Sequence, residues 1–314
     1  MAKPEFTIRS HRPQVPASPG HARLVHHRPH AVLDEGGVFD AHPRAVLGPI
    51  PVLWIERRAA VEAVVKAVVA RRRLFLSFCN AHTMRIAHRD RAYAADLRRL
   101  IVLNDGLGMN IAARFALGRR FPDNLNGTDF VPALLRAVPA GTRIHLLGAR
   151  PDVVARAAEV LAHTHPTLSV VGARDGYFSA GETEAVLAET VASRPDILLV
   201  AMGNPRQEKF MVEHAEKIGA TVVIAVGALF DFLAERFPRA PRLVRKAGLE
   251  WAWRFAQEPR RLFERYTVGN VDFLLRTARY CMTNTPESGE PTRQPPLSPR
   301  RARDRRHPPR RHDG

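Results

Sequence analysis

Gly203-Asn204-Pro205-Arg206-Gln207-Glu208-Lys209 follows directly on the apolar run Ile197 to Met202, and the pair decides the fold. A short apolar, partly β-branched run between breakers (Pro195-Asp196 before it, Gly203 after it) predicts a buried strand. Gly203 lets the backbone turn. Pro205 suits the first turn of a new helix, where its missing N–H would have no partner anyway. This strand–turn–helix unit sets Asn204, Arg206, Gln207 and Glu208 at the carboxyl end of a strand. Open parallel sheets bind ligands along that edge. A helix start carrying solvated polar residues is the plain alternative for this piece taken alone.

The same alternation recurs on both sides of it. Apolar runs at Leu74 to Phe78, Leu100 to Leu103, Arg143 to Leu147, Leu168 to Val171 and Thr221 to Val226 predict further strands. Helical patterns cover Ala59 to Ala70, Asn110 to Leu117, Asp129 to Ala137, Pro151 to His163, Glu182 to Ala192 and Gln207 to Ile218. Strands separated by helices imply an α/β fold: a Rossmann-like, mostly parallel sheet with helices on both faces. Continuously apolar strands fit a sheet buried on both sides.

The net charge of +17 lies mostly outside this body. Residues 46–235 carry 23 Lys and Arg against 19 acids, whereas residues 236–282 carry 11 against 4. Residues 1–45 contain many Pro, His and Gly without periodicity and read as a disordered tail. Residues 283–314, with Pro pairs and Arg clusters, read as a second, basic one. The expected division is therefore a tail over 1–45, an α/β domain over 46–237, a basic helical appendage over 238–282, and a tail over 283–314. No signal-peptide pattern or run of membrane-spanning length is visible, so the expected location is cytoplasmic. The two cysteines, Cys79 and Cys281, are compatible with it.

Each strand runs into a polar or Gly-rich turn, and parallel strands would gather these turns into one cleft. Asp105 follows Ile101-Val102-Leu103-Asn104 and precedes Gly106 and Gly108, small residues that let a substrate approach. A carboxylate there can serve as general base on a hydroxyl; a simple N-cap Asp is the alternative. Gly148-Ala149-Arg150-Pro151 opens a helix whose N–H groups suit a phosphate. The P-loop and G-x-G-x-x-G patterns are absent, as is any D-x-D pair, and the scattered His make no metal set.

From Arg239 to Tyr266, arginines alternate with Leu243, Leu249, Trp251, Trp253, Phe255, Leu262 and Phe263. Such a basic amphipathic stretch suits an anionic membrane surface or phosphate recognition. A helical hairpin packed on the sheet, basic face outward, is the alternative.

Together these blocks resemble the WecG/TagA/CpsF glycosyltransferases over roughly Pro49 to Phe273. The matching stretches are Asn80, Asn104-Asp105-Gly106-Leu107-Gly108, Gly127-Thr128-Asp129, Leu146-Leu147-Gly148-Ala149 and Asp175-Gly176-Tyr177-Phe178. Then come Gly203 to Glu208, Gly227-Ala228-Leu229-Phe230-Asp231, Arg239-Ala240-Pro241, Leu249-Glu250-Trp251, Arg254 and Glu258-Pro259-Arg260-Arg261. The resemblance implies inverting, metal-independent transfer from a UDP-sugar to a polyprenyl-diphosphate-linked acceptor, without a cofactor, in bacterial surface-polymer synthesis. It implies Asp105 as general base, with Asn80 and Gln207 in the catalytic group. The candidate UDP-sugar-binding set is Gly106, Gly108, Gly148, Tyr177, Gly203, Asn204, Glu208, Gly227 and Asp231. Arg254, Arg260, Arg261 and Arg265 are the candidates for the acceptor diphosphate, on an appendage expected to dock at the inner face of the membrane. Phe78 stands where many members carry Thr, and Asp123-Asn124-Leu125-Asn126 where many carry Arg.

The charge also raises a non-enzymatic nucleic-acid-binding protein. Its terminal location, the near-neutral body and the lack of any nucleic-acid module speak against such a partner. An oxidoreductase on the same topology lacks its glycine fingerprint. A homo-oligomer stays open.

Overall fold

The computed structural model describes residues 23–25, 33–234, 252–253, 256 and 268–283. Three short strands, β1 (Arg23–Val25), β2 (Arg44–Val46) and β3 (Pro51–Leu53), form a small antiparallel sheet. Six more build the main sheet: β4 (Leu74–Cys79), β5 (Ile101–Asn104), β6 (Arg143–Gly148), β7 (Ser169–Arg174), β8 (Ile197–Ala201) and β9 (Val222–Ala225). They lie in the order β5-β4-β9-β8-β6-β7, and every pairing is parallel. Each of the six coincides with an apolar run of the sequence. Every residue of β4, β5, β8 and β9 is buried, which is why these strands show no alternation.

The helices are α1 (Arg57–Val69), α2 (Ala81–Arg89), α3 (Arg91–Arg98), α4 (Gly106–Leu117), α5 (Gly127–Ala137), α6 (Pro151–Thr164), α7 (Thr183–Ala192), α8 (Arg206–Glu213), α9 (Leu229–Leu233) and α10 (Val268–Thr283). One apolar core, under α1, α5, α6 and α9, joins Val64, Phe130, Leu134, Val154 and Phe230 to one face of the sheet. A second, on the other face, joins Met84, Tyr93, Met109, Leu187 and Met211 of α2, α3, α4, α7 and α8 to Val52 of the small sheet and to Trp54 just after it. The protein is thus a three-layer α/β fold with a doubly covered parallel sheet.

Sequence expectation and structure part at several places. The expected tail does not extend through residue 45. Phe39 and Ala45 are fully buried, Arg44 is 4% exposed, and the Phe75 N–H donates to the Leu33 carbonyl at 2.9 Å. The Asp34 carboxylate takes the Val38 and Phe39 N–H groups, so side-chain bonds order a segment whose Pro and Gly content pointed to disorder. Helices α2 and α3 fill the stretch between the first two expected strands. Asn80 caps α2 and Asp90 caps α3, accepting the Tyr93 N–H at 3.0 Å. Helix α4 begins four residues earlier than its apolar period, at Gly106, and α8 ends at Glu213. The boundary at 237–238 and the expected 283–314 tail lie outside the described residues, except Thr283, which ends α10. Within the expected appendage, α10 is helical and packs against α2 and α4. Among the described residues no helix is long and apolar enough to cross a membrane.

Candidate active site

All six strands of the main sheet end on one edge, so their following turns share it. Neighbours β4 and β9 send their next helices, α2 and α9, to opposite faces, and so do β8 and β6 with α8 and α6. Such divergence opens crevices at the carboxyl ends of strands. The turns form a row and do not converge on one point. Four strand spacings separate Asp105 after β5 from Gly148 in β6, roughly 19 Å. That row suits an extended ligand.

At the β5 end, Asp105 is partly exposed and occupies the N-cap position of α4, yet makes no side-chain capping bond. Its Oδ2 instead accepts from Asn80 Nδ2 at 3.2 Å. Asn80 is itself fixed, because its Oδ1 accepts the His82 and Thr83 N–H groups at 3.0 and 3.1 Å. One asparagine thereby starts a helix and orients a carboxylate that follows the neighbouring strand. The backbone agrees, with the Asp105 N–H donating to the Cys79 carbonyl at 2.8 Å. Gly106 has φ +86°, and its N–H donates to Asn124 Oδ1 at 2.8 Å. Asn104 Nδ2 holds the Asp123 carbonyl at 2.8 Å, so the 123–126 segment is tied across the turn that carries Asp105. Gly108 makes room for α4 on α2: a Cβ there would stand 3.2 Å from the Ala81 Cβ.

The Gly203 to Glu208 segment takes a different part from the one expected. Glu208 is 0% exposed and does not reach the cleft. Its Oε1 accepts from Ser77 Oγ at 3.0 Å, Asn204 Nδ2 at 2.7 Å and Gln207 Nε2 at 2.7 Å, and its Oε2 accepts from the Tyr93 hydroxyl at 3.0 Å. Burial raises the pKa of this carboxyl, and the bonds from Gln207 and Ser77 oppose that rise. Burial also pushes the Tyr93 hydroxyl up, which keeps it a donor. Gln207 is 3% exposed, and its Oε1 accepts the N–H groups of both Gly203 and Gly227 at 3.2 Å. It therefore closes the gap between the ends of β8 and β9. These glycine N–H groups are spent inside the protein, so Gly203 and Gly227 contribute left-handed turns (φ +75° and +55°). Asn204 belongs to the same network. The expectation that Glu208 touches the sugar nucleotide is corrected: it is the buried hub behind the edge.

At the other end of the row, Gly148 has φ +134°, and a Cβ on it would collide with the Ala201 carbonyl. The Ala149 N–H donates to Ala201 O at 2.8 Å and the Gly176 N–H to Ala149 O at 2.9 Å, which draws three turns together. Tyr177 stands 72% exposed beside them, its N–H taken by Asp175 Oδ1 at 2.9 Å. The first turn of α6 bears Asp152, paired with Arg150 at 2.7 Å, so an anion there meets a carboxylate as well as the helix start. Asp231 lies in the first turn of α9, partly exposed. Phe78 is 8% exposed and packs edge-on against Phe130 at 5.9 Å, so an apolar ring closes the end of β4. Arg254, Arg260, Arg261 and Arg265 lie outside the described residues.

Sequence reading missed Ser77, Tyr93 and Asn124. The apolar run conceals Ser77, and Tyr93 meets Glu208 from 115 positions away. Only the polar segment 123–126, placed between two predicted helices, carried a visible signal. A family model described as glycosyl transferase WecG/TagA/CpsF family matches residues 46–287. That match spans most of the chain, and the chain belongs to the WecG/TagA/CpsF family, glycosyltransferases of cell-surface polymer synthesis.

Proposed function

We propose that the protein transfers a hexosyl or N-acetylhexosaminyl group from a UDP-sugar to a polyprenyl-diphosphate-linked saccharide, with inversion and without a metal, at the inner membrane surface. The observation that carries this reading is the Asn80–Asp105 contact, which orients a partly exposed carboxylate at the sheet edge instead of spending it as a cap. In this reading Asp105 takes the proton of the acceptor hydroxyl. The hydroxyl oxygen bonds to the anomeric carbon from the face opposite the nucleotide. The bond to UDP breaks, and UDP leaves with the electron pair. Arg254 and Arg261, the best matches to the family's C-terminal arginines, neutralise the diphosphates. The row of turns from β5 to β6 receives the extended nucleotide, with the sugar at the Asp105 end. The apolar Phe78 at that end favours a donor that needs no hydroxyl partner there.

The test is a panel of UDP-sugars offered to the full chain with a short-chain lipid-diphosphate acceptor, the product's anomeric configuration being read by NMR. Inverted product from one donor, lost in Asp105→Asn, is expected. Retained configuration, or no product from any UDP-sugar, overturns the reading.

A further inference from the structure

Among the described residues eight large apolar side chains stand exposed, and five of them lie on two packed helices, α4 and α10. Leu107, Ile111 and Phe115 are 37%, 44% and 70% exposed. Their spacing of four places them on one face of α4. The opposite face sends Met109, Ala112 and Ala113 into the core, so α4 is a surface helix that is apolar on both sides. Beside it, α10 exposes Leu275 at 66% and Met282 at 70%. A clustered apolar surface of this kind marks an interaction site, whereas single exposed residues need no explanation.

Charge selects the occupant. From Gly106 to Pro122 there is no acid, while Arg114, Arg119 and Arg120 are present and exposed. The acid of α10, Asp272, is held by Arg89 at 2.8 Å and by Arg276 at 2.7 Å. Apolar residues bordered by arginines, on a helix that carries no acid, complement a bilayer of anionic lipid: the apolar side chains enter below the headgroups and the guanidinium groups meet phosphate. A second copy of the chain fits less well, since a two-fold contact would bring two arginine-bearing, acid-free α4 faces together.

We propose that the exposed face of α4 seats the protein on an anionic lipid bilayer. This deepens the reading that the acceptor is lipid-linked and rests on it. The bilayer contact is made by the catalytic core itself, in addition to the arginine-rich segment expected to dock. Because Asp105 immediately precedes α4, the same contact brings the base to the level of the headgroups. Ile111 and Phe115 take no part in the site.

The experiment floats the full chain with vesicles of mixed phosphatidylcholine and phosphatidylglycerol at physiological salt, without substrate. Ile111→Ser/Phe115→Ser should lower the partition coefficient by about tenfold or more, since each buried apolar side chain contributes strongly. Val69→Ser/Val191→Ser, exposed apolar residues elsewhere, should leave it unchanged. Melting temperatures and turnover with a water-soluble short-chain acceptor should match wild type, which separates docking from unfolding; the single variants serve if the double one is unstable. Unchanged vesicle binding in the α4 variants overturns the proposal. So does wild-type binding to pure phosphatidylcholine as strong as to the mixture. A variant that turns a dimer into a monomer while still binding vesicles assigns the face to self-association and overturns it too. Normal vesicle binding with no sugar transfer by wild type would sink the function and leave the docking face standing.

Discussion

Asn80 Nδ2 lies 3.2 Å from Asp105 Oδ2, across the carboxyl ends of two adjacent parallel strands. The asparagine is rigid because its other side-chain atom caps α2, so it holds the carboxylate at little entropic cost. Substituting either residue separates orientation from chemistry.

Asp105→Asn keeps the size and the turn but cannot take a proton. Turnover should fall by about 10²–10⁴-fold, the usual contribution of general base catalysis. UDP binding by calorimetry should stay near wild type. Wild-type turnover in this variant would remove Asp105 from the mechanism.

Asn80→Asp keeps the cap and replaces the amide donor by a second carboxylate. The like charge should raise the apparent pKa of the base, so the pH–rate profile moves to higher pH while the melting temperature changes little. Asn80→Ala should instead lose about 1 kcal/mol of stability with the cap. An unshifted pH profile in Asn80→Asp would show that the contact does not act on the base.

Glu208→Leu removes the hub and leaves the Ser77, Tyr93, Asn204 and Gln207 donors facing an apolar side chain. At about 1–3 kcal/mol for each buried unsatisfied group, the loss should exceed roughly 3 kcal/mol in denaturant unfolding. A surface-like change below about 0.5 kcal/mol would contradict the buried network.

Gly148→Ala introduces a Cβ against the Ala201 carbonyl at φ +134°, and should cost roughly 2–4 kcal/mol from strain and overpacking. Gly203→Ala, with φ +75° and nothing within 4 Å of its Cβ, should cost only about 1–2 kcal/mol. Equal losses would contradict the close approach of β6 and β8.

His145 is fully buried, with Nδ1 2.9 Å from Ser193 Oγ, and burial pushes its pKa down to about 4. The unfolded chain, with an ordinary histidine near 6.5, binds the extra proton between those two values. Stability should therefore fall as pH drops through that window, by about 3 kcal/mol in all, and be restored as pH rises above it. Unfolding midpoints of wild type and His145→Gln across this range test it: the wild type should lose its lead toward acid pH, and a constant difference between them would contradict the shift.

Strands β4, β5, β8 and β9 were legible in the sequence because burial on both faces makes a strand continuously apolar, and that is a local property. The turns after them were legible because Gly203, Gly148 and Asp105-Gly106 interrupt such runs, and the order of these blocks carried the family. Tertiary structure alone decided what each polar residue does. Gln207 and Glu208 share a turn with exposed Arg206, yet both face inward, Gln207 to the Gly203 and Gly227 N–H groups and Glu208 to Ser77 on β4 and Tyr93 on α3, and no periodicity reports a contact made 115 or 131 positions away. The order in residues 33–45 comes from the Asp34 carboxylate and from burial of Phe39, which composition does not register. The exposed stripe of α4 likewise reads in sequence as one more core helix. Hydrophobic pattern determines that a helix has an apolar face, and only packing determines which apolar face is left uncovered.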